Sequence, residues 1–236
     1  MQNMPEDFNV YYQRKMPVTR DLLQNMSFVY FWMVLGLVVT GLSAWFVNAH
    51  PDFQETIMTN VVFFSLLIAQ LSLVFIFSRT CNNCNFPLAF LMFITITALT
   101  GISLSTIFLV FKLPSIVTIL MSTAFAFFGL TIFGFLTKYD LGPIGTFCFS
   151  GLIGLVGLLI LSLFIPDLRT DMASVAYGVL GVLIFSGLTA FDVQKIQKNL
   201  AQEPQSSTRS LKGALTLYLD FINLFLSLLR IFGKRK

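Results

Sequence analysis

The chain is poor in charged residues. Only 11% of its 236 residues are Asp, Glu, Lys or Arg, against about 25% in soluble domains, while 56% are hydrophobic. So little polar surface excludes a soluble globular protein. The net charge of +4 gives no reason to expect a nucleic-acid partner, since basic residues collect in the inside loops of membrane proteins. The composition predicts a polytopic membrane protein that contacts the lipid bilayer.

Histidine and cysteine are also scarce, with one His and three Cys. His50 lies in a predicted loop and would be the only base for a serine nucleophile. Neither a Walker loop nor a Gly-x-Ser-x-Gly elbow occurs. Cys81 and Cys84 have the spacing of half a zinc site, but a second pair is missing. The sequence therefore predicts neither an enzyme nor a resident cofactor.

Long uncharged runs dominate what is present. A helix rises about 1.5 Å per residue, so about 20 apolar residues cross a hydrocarbon core of about 30 Å. The runs cover residues 28–49, 56–78, part of 80–111 beginning near Pro87, 113–137, 141–166, 172–191 and 213–232. They predict an all-α polytopic membrane protein with seven transmembrane helices.

Polar segments divide the chain into three parts. We predict that residues 1–27 form a cytoplasmic tail that becomes a short helix before the membrane, because a full-length span follows instead of the short apolar core of a signal peptide. Residues 28–232 form a single transmembrane domain, and residues 233–236 form a basic C-terminal tail. Within the domain, residues 193–212 contain Gln-Glu-Pro-Gln-Ser-Ser-Thr, which predicts a flexible loop.

The distribution of Lys and Arg favours a cytoplasmic N-terminus. With that orientation the inside segments hold nine basic residues, whereas the outside loops hold only Lys112 and Arg169. The last four basic residues, from Arg230 to Lys236, lie outside if the final run crosses the membrane and inside if it is re-entrant. We prefer seven full crossings, with the side of the C-terminus left open.

Two carboxylates lie within or beside the last two runs. Asp192 directly follows the sixth run, and Asp220 is the eighth residue of the seventh, about 10 Å along the helix. An ionisable residue inside a membrane is a candidate for function because it is costly to insert. The two runs are antiparallel, so these carboxylates can meet at a shallow depth below the inside face.

A carboxylate pair has a definite chemistry in a low-dielectric site. Both groups cannot ionise cheaply, so they share a proton and can sense pH. They can also attract Ca²⁺, which prefers about six to eight oxygens, so a pair predicts a weak transit site. Arg79, at the inside end of the second run, can act as a latch on Asp192. The simpler alternatives are an Asp192–Lys195 ion pair and an interhelical hydrogen bond between Asp220 and the hydroxyl group of a Ser, Thr or Tyr.

The seventh run also carries a long, specific phrase. Residues 217–225, LYLDFINLF, followed by Leu-Leu-Arg at 228–230, closely resemble the C-terminal signature of the Bax inhibitor-1 family. Residues 184–196 resemble the sixth-span motif of that family, and residues 101–104 resemble its third-span motif. The resemblance covers residues 28–232, and the size of the chain is similar to that of bacterial members.

This resemblance implies seven helices, with the last enclosed by two groups of three. It implies a pH-sensitive calcium leak in which Asp192 and Asp220 form the sensor and ion pathway, while Arg79 closes the latch. Calcium is then the transported ion, not a cofactor, and the location is the bacterial inner membrane. Some relatives carry an acidic residue in the second span, where Gln70 is the nearest polar residue of this chain.

Two other classes of function stay open. The resemblance also fits a non-conducting regulator that binds membrane proteases or stress and cell-death proteins through its N-terminal tail. An intramembrane aspartyl protease likewise needs two aspartates on consecutive spans, but the seventh run lacks Gly-x-Gly-Asp. Loss of substrate cleavage in Asp220→Asn would identify a protease, whereas a channel needs no such substrate.

Overall fold

The computed structural model describes residues 20–81, 85–165, 170–202 and 207–236, and almost all of them are helical. The helices are α1 (Arg20–Ala49), α2 (Pro51–Met58), α3 (Asn60–Thr80), α4 (Phe86–Leu104), α5 (Ile107–Val110), α6 (Leu113–Leu136), α7 (Gly142–Leu161), α8 (Asp171–Gln202) and α9 (Ser207–Phe232). Within these described ranges, seven helical segments are long and apolar enough to cross a membrane, with α4 and α5 forming the third. The predicted all-α polytopic fold is confirmed.

Helix α9 is the central element of the bundle. It packs against α1 and α4 of a first group, in which α4 also packs on α3. It also packs against α6 and α8 of a second group, in which α8 also packs on α7. Side chains such as Leu217, Tyr218 and Leu224 are therefore almost completely buried. The last helix is enclosed by two groups of three, as predicted.

The outer helices owe their stability to lipid as well as to packing. Large apolar side chains of α3 and α7, including Ile68, Leu71 and Phe147, are exposed on the protein surface. Lipid tails accept such side chains as readily as a protein core does, so these helices need no polar outer face. The contrast with α9 explains why a carboxylate on α9 lies within protein and not against lipid.

Prolines mark where several helices begin. Pro51, Pro87, Pro114 and Pro143 each occupy the first turn of a helix. The first turn tolerates proline because its N–H would have no intrahelical acceptor there. These positions explain why the short connections could be located from the sequence.

The predicted flexible loop at residues 193–212 is wrong for most of its length. Helix α8 continues to Gln202 and α9 already begins at Ser207, while residues 203–206 lie outside the described part. Val193, Ile196 and Leu211 are buried, so apolar packing continues beyond the uncharged runs. Helix α1 begins at Arg20, within the predicted N-terminal segment 1–27, of which residues 1–19 are not described.

Two glycines allow helices of the same group to approach closely. A Cβ atom added at Gly101 of α4 would lie 2.3 Å from the carbonyl oxygen of Thr40 on α1. One added at Gly134 of α6 would lie 2.5 Å from the carbonyl oxygen of Ala190 on α8. Because backbone atoms cannot move aside as a side-chain tip can, these contacts depend on glycine.

We expect Gly101→Ala to destabilise the protein by about 1–3 kcal/mol, because the methyl group forces α1 and α4 apart. Gly129→Ala on α6 is the matched control, since a Cβ atom there meets no described atom within 4 Å. Thermal or denaturant unfolding in detergent measures both variants. Equal effects of the two substitutions would contradict the close contact.

The C-terminal residues close one end of the bundle. Backbone hydrogen bonds join residues 110–112 to residues 234–236, with N···O distances of 2.9 and 3.0 Å. The Arg235 guanidinium also pairs with Asp171 at the start of α8. These contacts lie at the connection between the third and fourth spans and at the start of the sixth, so α9 crosses the whole bundle.

Cysteine labelling in sealed vesicles tests this crossing. In a variant without the native cysteines, Lys236→Cys should react with an impermeant maleimide from the same side as Lys112→Cys. Tyr139→Cys, in the exposed loop between α6 and α7, should react only from the opposite side. A re-entrant α9 would instead make Lys236→Cys label together with Tyr139→Cys.

Candidate functional site

The structure brings Asp192 and Asp220 together. Their carboxyl groups are close enough to interact across the interface of α8 and α9. Asp220 is 6% exposed and Asp192 is partly buried. Asp192 lies in the interior of α8, which continues to Gln202, so it does not end its helix as the uncharged run indicated. The pair therefore joins the central helix to the second group.

A hydrogen bond between these two carboxyl groups has a protonation requirement. Ionised carboxylates only accept hydrogen bonds, so a bond between two of them needs a proton on one. The Oδ2 atom of Asp220 is buried and receives no hydrogen bond from any described residue. Two negative charges so close together would repel each other strongly in a low-dielectric site. The geometry thus fits a pair that holds either a shared proton or a cation.

Few other charges act on the pair. Lys195, on the same helix as Asp192, is the described cation close enough to interact with it. Its ammonium group lies 5.4 Å from the centroid of the Phe191 ring, and the described ion pairs do not include it. The described charged group that acts on Asp220 is Asp192 itself. The charge state of the pair therefore depends mainly on the interaction between its own two carboxyl groups.

A polar clamp holds the loop between α6 and α7 against α8, just beyond the carboxylate pair. The Gln194 side chain accepts the Leu141 N–H at 3.0 Å and donates to the Tyr139 carbonyl at 2.8 Å. One turn further on, Lys198 donates to Asp140 at 2.9 Å. This hydrogen bond from Lys198 lowers the pKa of Asp140, although both side chains are exposed and the ion pair is worth little.

Arg79 lies at the same end of the bundle, but the structure does not bring it to the pair. It is exposed in the last turn of α3, and its guanidinium lies 4.9 Å from the centroid of the Phe75 ring. Two residues further on, the Cys81 thiol donates to the Thr208 carbonyl at 3.5 Å, near the start of α9. The described ion pairs do not include Arg79, so its latch role stays a prediction.

A second polar contact ties α9 to the first group. The Tyr218 hydroxyl lies 2.7 Å from Thr40 Oγ1, which also lies 2.9 Å from the Thr97 carbonyl oxygen. Thr100 lies close to Tyr218, and the Gln70 side-chain amide donates to Thr100 at 3.0 Å. These residues form a polar network through α3, α4, α9 and α1.

Sequence reasoning gave no role to Tyr218, Thr40 or Thr100, and of this network it singled out only Gln70. A usable signal was present, because hydroxyl and amide groups inside a span pair with one another where lipid offers no partner. Tyr218 and Asp220 are two residues apart, which is about 200° around a helix. They therefore face the first and the second group respectively.

The described residues contain no cluster of three or more His, Cys, Asp or Glu side chains that could hold a metal ion. Cys84 lies outside these residues. Asp192 and Asp220 alone supply fewer oxygens than the roughly six to eight that Ca²⁺ prefers. Such a donor set suits an ion in transit better than a resident ion.

These observations define a class: a polytopic helical membrane protein whose enclosed last helix carries a buried carboxylate paired with one from the preceding helix. A family model described as "Inhibitor of apoptosis-promoting Bax1" matches residues 22–236. The chain belongs to the Bax inhibitor-1 family.

Relatives in several bacteria match over nearly their whole length. Inner membrane protein YbhL of Escherichia coli K12 is 40% identical over 217 residues, which cover 89% of this chain and 92% of YbhL. A membrane protein of Streptococcus pyogenes serotype M1 is 36% identical, with 91% and 95% covered. A protein of Borreliella burgdorferi is 34% identical, with 91% and 94% covered. With its seven apolar helices, this chain is a multi-pass membrane protein.

A double-mutant cycle tests the contact between Tyr218 and Thr40. We expect Tyr218→Phe to cost about 0.5–1.5 kcal/mol of unfolding free energy, the range for hydrogen bonds within membranes. Thr40→Val removes the other hydroxyl at nearly constant shape, so the double variant should cost less than the sum of the single variants. Tyr139→Phe, at an exposed position, is the control. Strict additivity would show that the two hydroxyls do not interact.

Proposed function

We propose that this protein is a pH-sensitive calcium leak gated by Asp192 and Asp220. The close approach of the buried Asp220 carboxyl group to that of Asp192 across α8 and α9 is the observation that carries the proposal. A buried carboxylate is costly in a membrane, and it typically marks an ion or proton pathway. The family resemblance supports the same function, because it implies a calcium leak with these two aspartates as its sensor.

The proposed gate uses the proton that the pair requires. At lower pH the carboxyl groups share a proton and stay together, as in the arrangement described above. At higher pH that proton is lost, and mutual repulsion frees the less buried Asp192. Ionised Asp192 can then take Arg79 as its partner, which joins α8 to the end of α3 and closes the leak. A fall in pH therefore opens the pathway.

The proposed orientation places the N-terminus in the cytoplasm of a bacterium. The excess of basic residues in the segments on that side supports it, and the relative YbhL is an inner membrane protein. Arg79, the Asp192–Asp220 pair and the clamped loop at residues 137–141 then lie near the cytoplasmic face. The gate would respond to cytoplasmic pH, while the C-terminal residues lie on the outer side.

Calcium flux into liposomes at pH 6, 7 and 8 tests the gate. The flux through the parent protein should increase as pH falls, by at most about tenfold per pH unit, the limit for one shared proton. Asp192→Asn and Asp220→Asn keep the side-chain shape but cannot ionise, so both should remove most of this pH dependence. Asp140→Asn removes an exposed carboxylate at the same end of the bundle and should behave as the parent.

Arg79→Ala separates the latch from the sensor. If Arg79 closes the leak, this variant should show at pH 8 the flux that the parent shows at pH 6, whereas Lys138→Ala should not. If the flux through Arg79→Ala equals that of the parent at each pH, Arg79 is not the latch. The carboxylate pair alone would then be the gate.

Absence of flux above that of empty liposomes, from folded protein at every pH, would overturn the leak. The non-conducting regulator would then be the better proposal. Membrane proteins that co-purify with the full chain, and are lost when residues 1–20 are deleted, would identify that role.

A further inference from the structure

We propose that a groove between α6 and α9 binds an anionic phospholipid. The groove lies at the end of the bundle that the C-terminal residues close, and its volume is about 430 Å³. Ile119, Leu228 and Phe232 contribute apolar walls, and Lys112 and Lys234 lie at its mouth. We call this the C-terminal groove. The proposal does not depend on the calcium leak.

The mouth of the C-terminal groove is held in place by the backbone. The Lys112 N–H donates to the Lys234 carbonyl at 2.9 Å, and the Lys234 N–H donates to the Ser115 hydroxyl at 2.9 Å. Two lysines distant in sequence are thereby fixed beside each other, with both side chains exposed. A ligand that binds them does not have to order the chain first.

The charge at the mouth has one sign. None of the described lining residues is acidic, and the nearby Asp171 carboxylate is already paired with Arg235. Neither Lys112 nor Lys234 takes part in an ion pair between described residues. Two positive charges at one groove attract an anion, which can interact with both.

The shape of the groove selects an amphiphile over a soluble anion. Its mouth lies where two membrane spans end, at the depth of lipid head groups. Its walls continue along α6 and α9 into the apolar part of the bundle, past Ile119 and Leu228. A phospholipid phosphate can contact the lysines while an acyl chain covers these walls. Free phosphate would bind the lysines but leave the apolar walls uncovered. A zwitterionic lipid would cover the walls, but its electrostatic attraction to the lysines would be weaker.

Native mass spectrometry of delipidated protein tests the proposal. The protein is titrated with phosphatidylglycerol or with phosphatidylcholine of the same acyl chains, and phosphatidylglycerol should bind more tightly. Replacing both mouth residues, Lys112→Gln with Lys234→Gln, should weaken phosphatidylglycerol binding about 25-fold, a factor of about five for each charge. Lys138→Gln with Lys198→Gln removes two charges at the other end and should leave binding unchanged.

A second variant tests the groove independently of its charge. Ser122 lines the groove and is exposed, so Ser122→Trp should fill it and weaken the binding of both lipids. Lys112→Arg with Lys234→Arg keeps the charge and should retain binding, which guards against misfolding as the cause of any loss. Equal affinity for the two lipids, equal losses in both Gln pairs, or unchanged binding in Ser122→Trp would each overturn the proposal.

Discussion

The enclosed position of α9 constrains the rest of the structure. A carboxylate in the middle of a lipid-facing helix would cost several kcal/mol, because nothing in the hydrocarbon can solvate it. Asp220 is instead surrounded by protein, and its neighbour is a second carboxyl group. That neighbour satisfies it only with a proton between them. In the proposed mechanism, the protonation of Asp220 and the contact between α8 and α9 are one equilibrium, which is the physical basis of the proposed pH dependence.

Much of the fold could be predicted because the membrane imposes strict lengths and strict polarity. Seven uncharged runs predicted the seven spans, and the prolines indicated the residues at which several of these helices begin. The prediction of a loop failed at residues 193–212. The helices there have polar residues on one face and buried apolar residues on the other. Val193 and Leu211 are almost completely buried there. Uncharged runs predict the end of a helix at the first cluster of charged residues. In the structure, backbone hydrogen bonding and packing extend the helix beyond that point.

The candidate site was only partly accessible from sequence. Asp192 and Asp220 were expected to meet because consecutive spans are antiparallel and each carboxylate stood out in apolar surroundings. The Tyr218 network was missed because threonine and tyrosine are common in spans, and their spacing does not reveal which helices they join. Gln70 pairs with Thr100, 30 residues away. Such a contact follows from how α3, α4 and α9 pack, which composition and periodicity do not specify.

The two polar contacts of α9 differ in how they respond to pH. Tyr218 and Thr40 bond as neutral hydroxyls, whose contact does not change between pH 6 and 8 because an unperturbed tyrosine titrates near pH 10. Asp220 and Asp192 depend on a proton. In the proposed mechanism, loss of that proton would weaken the attachment of α9 to α8 and leave its attachment to α1 and α4 intact. The movement that gates the proposed leak therefore occurs between α9 and the second group of helices, with the first group acting as the fixed support.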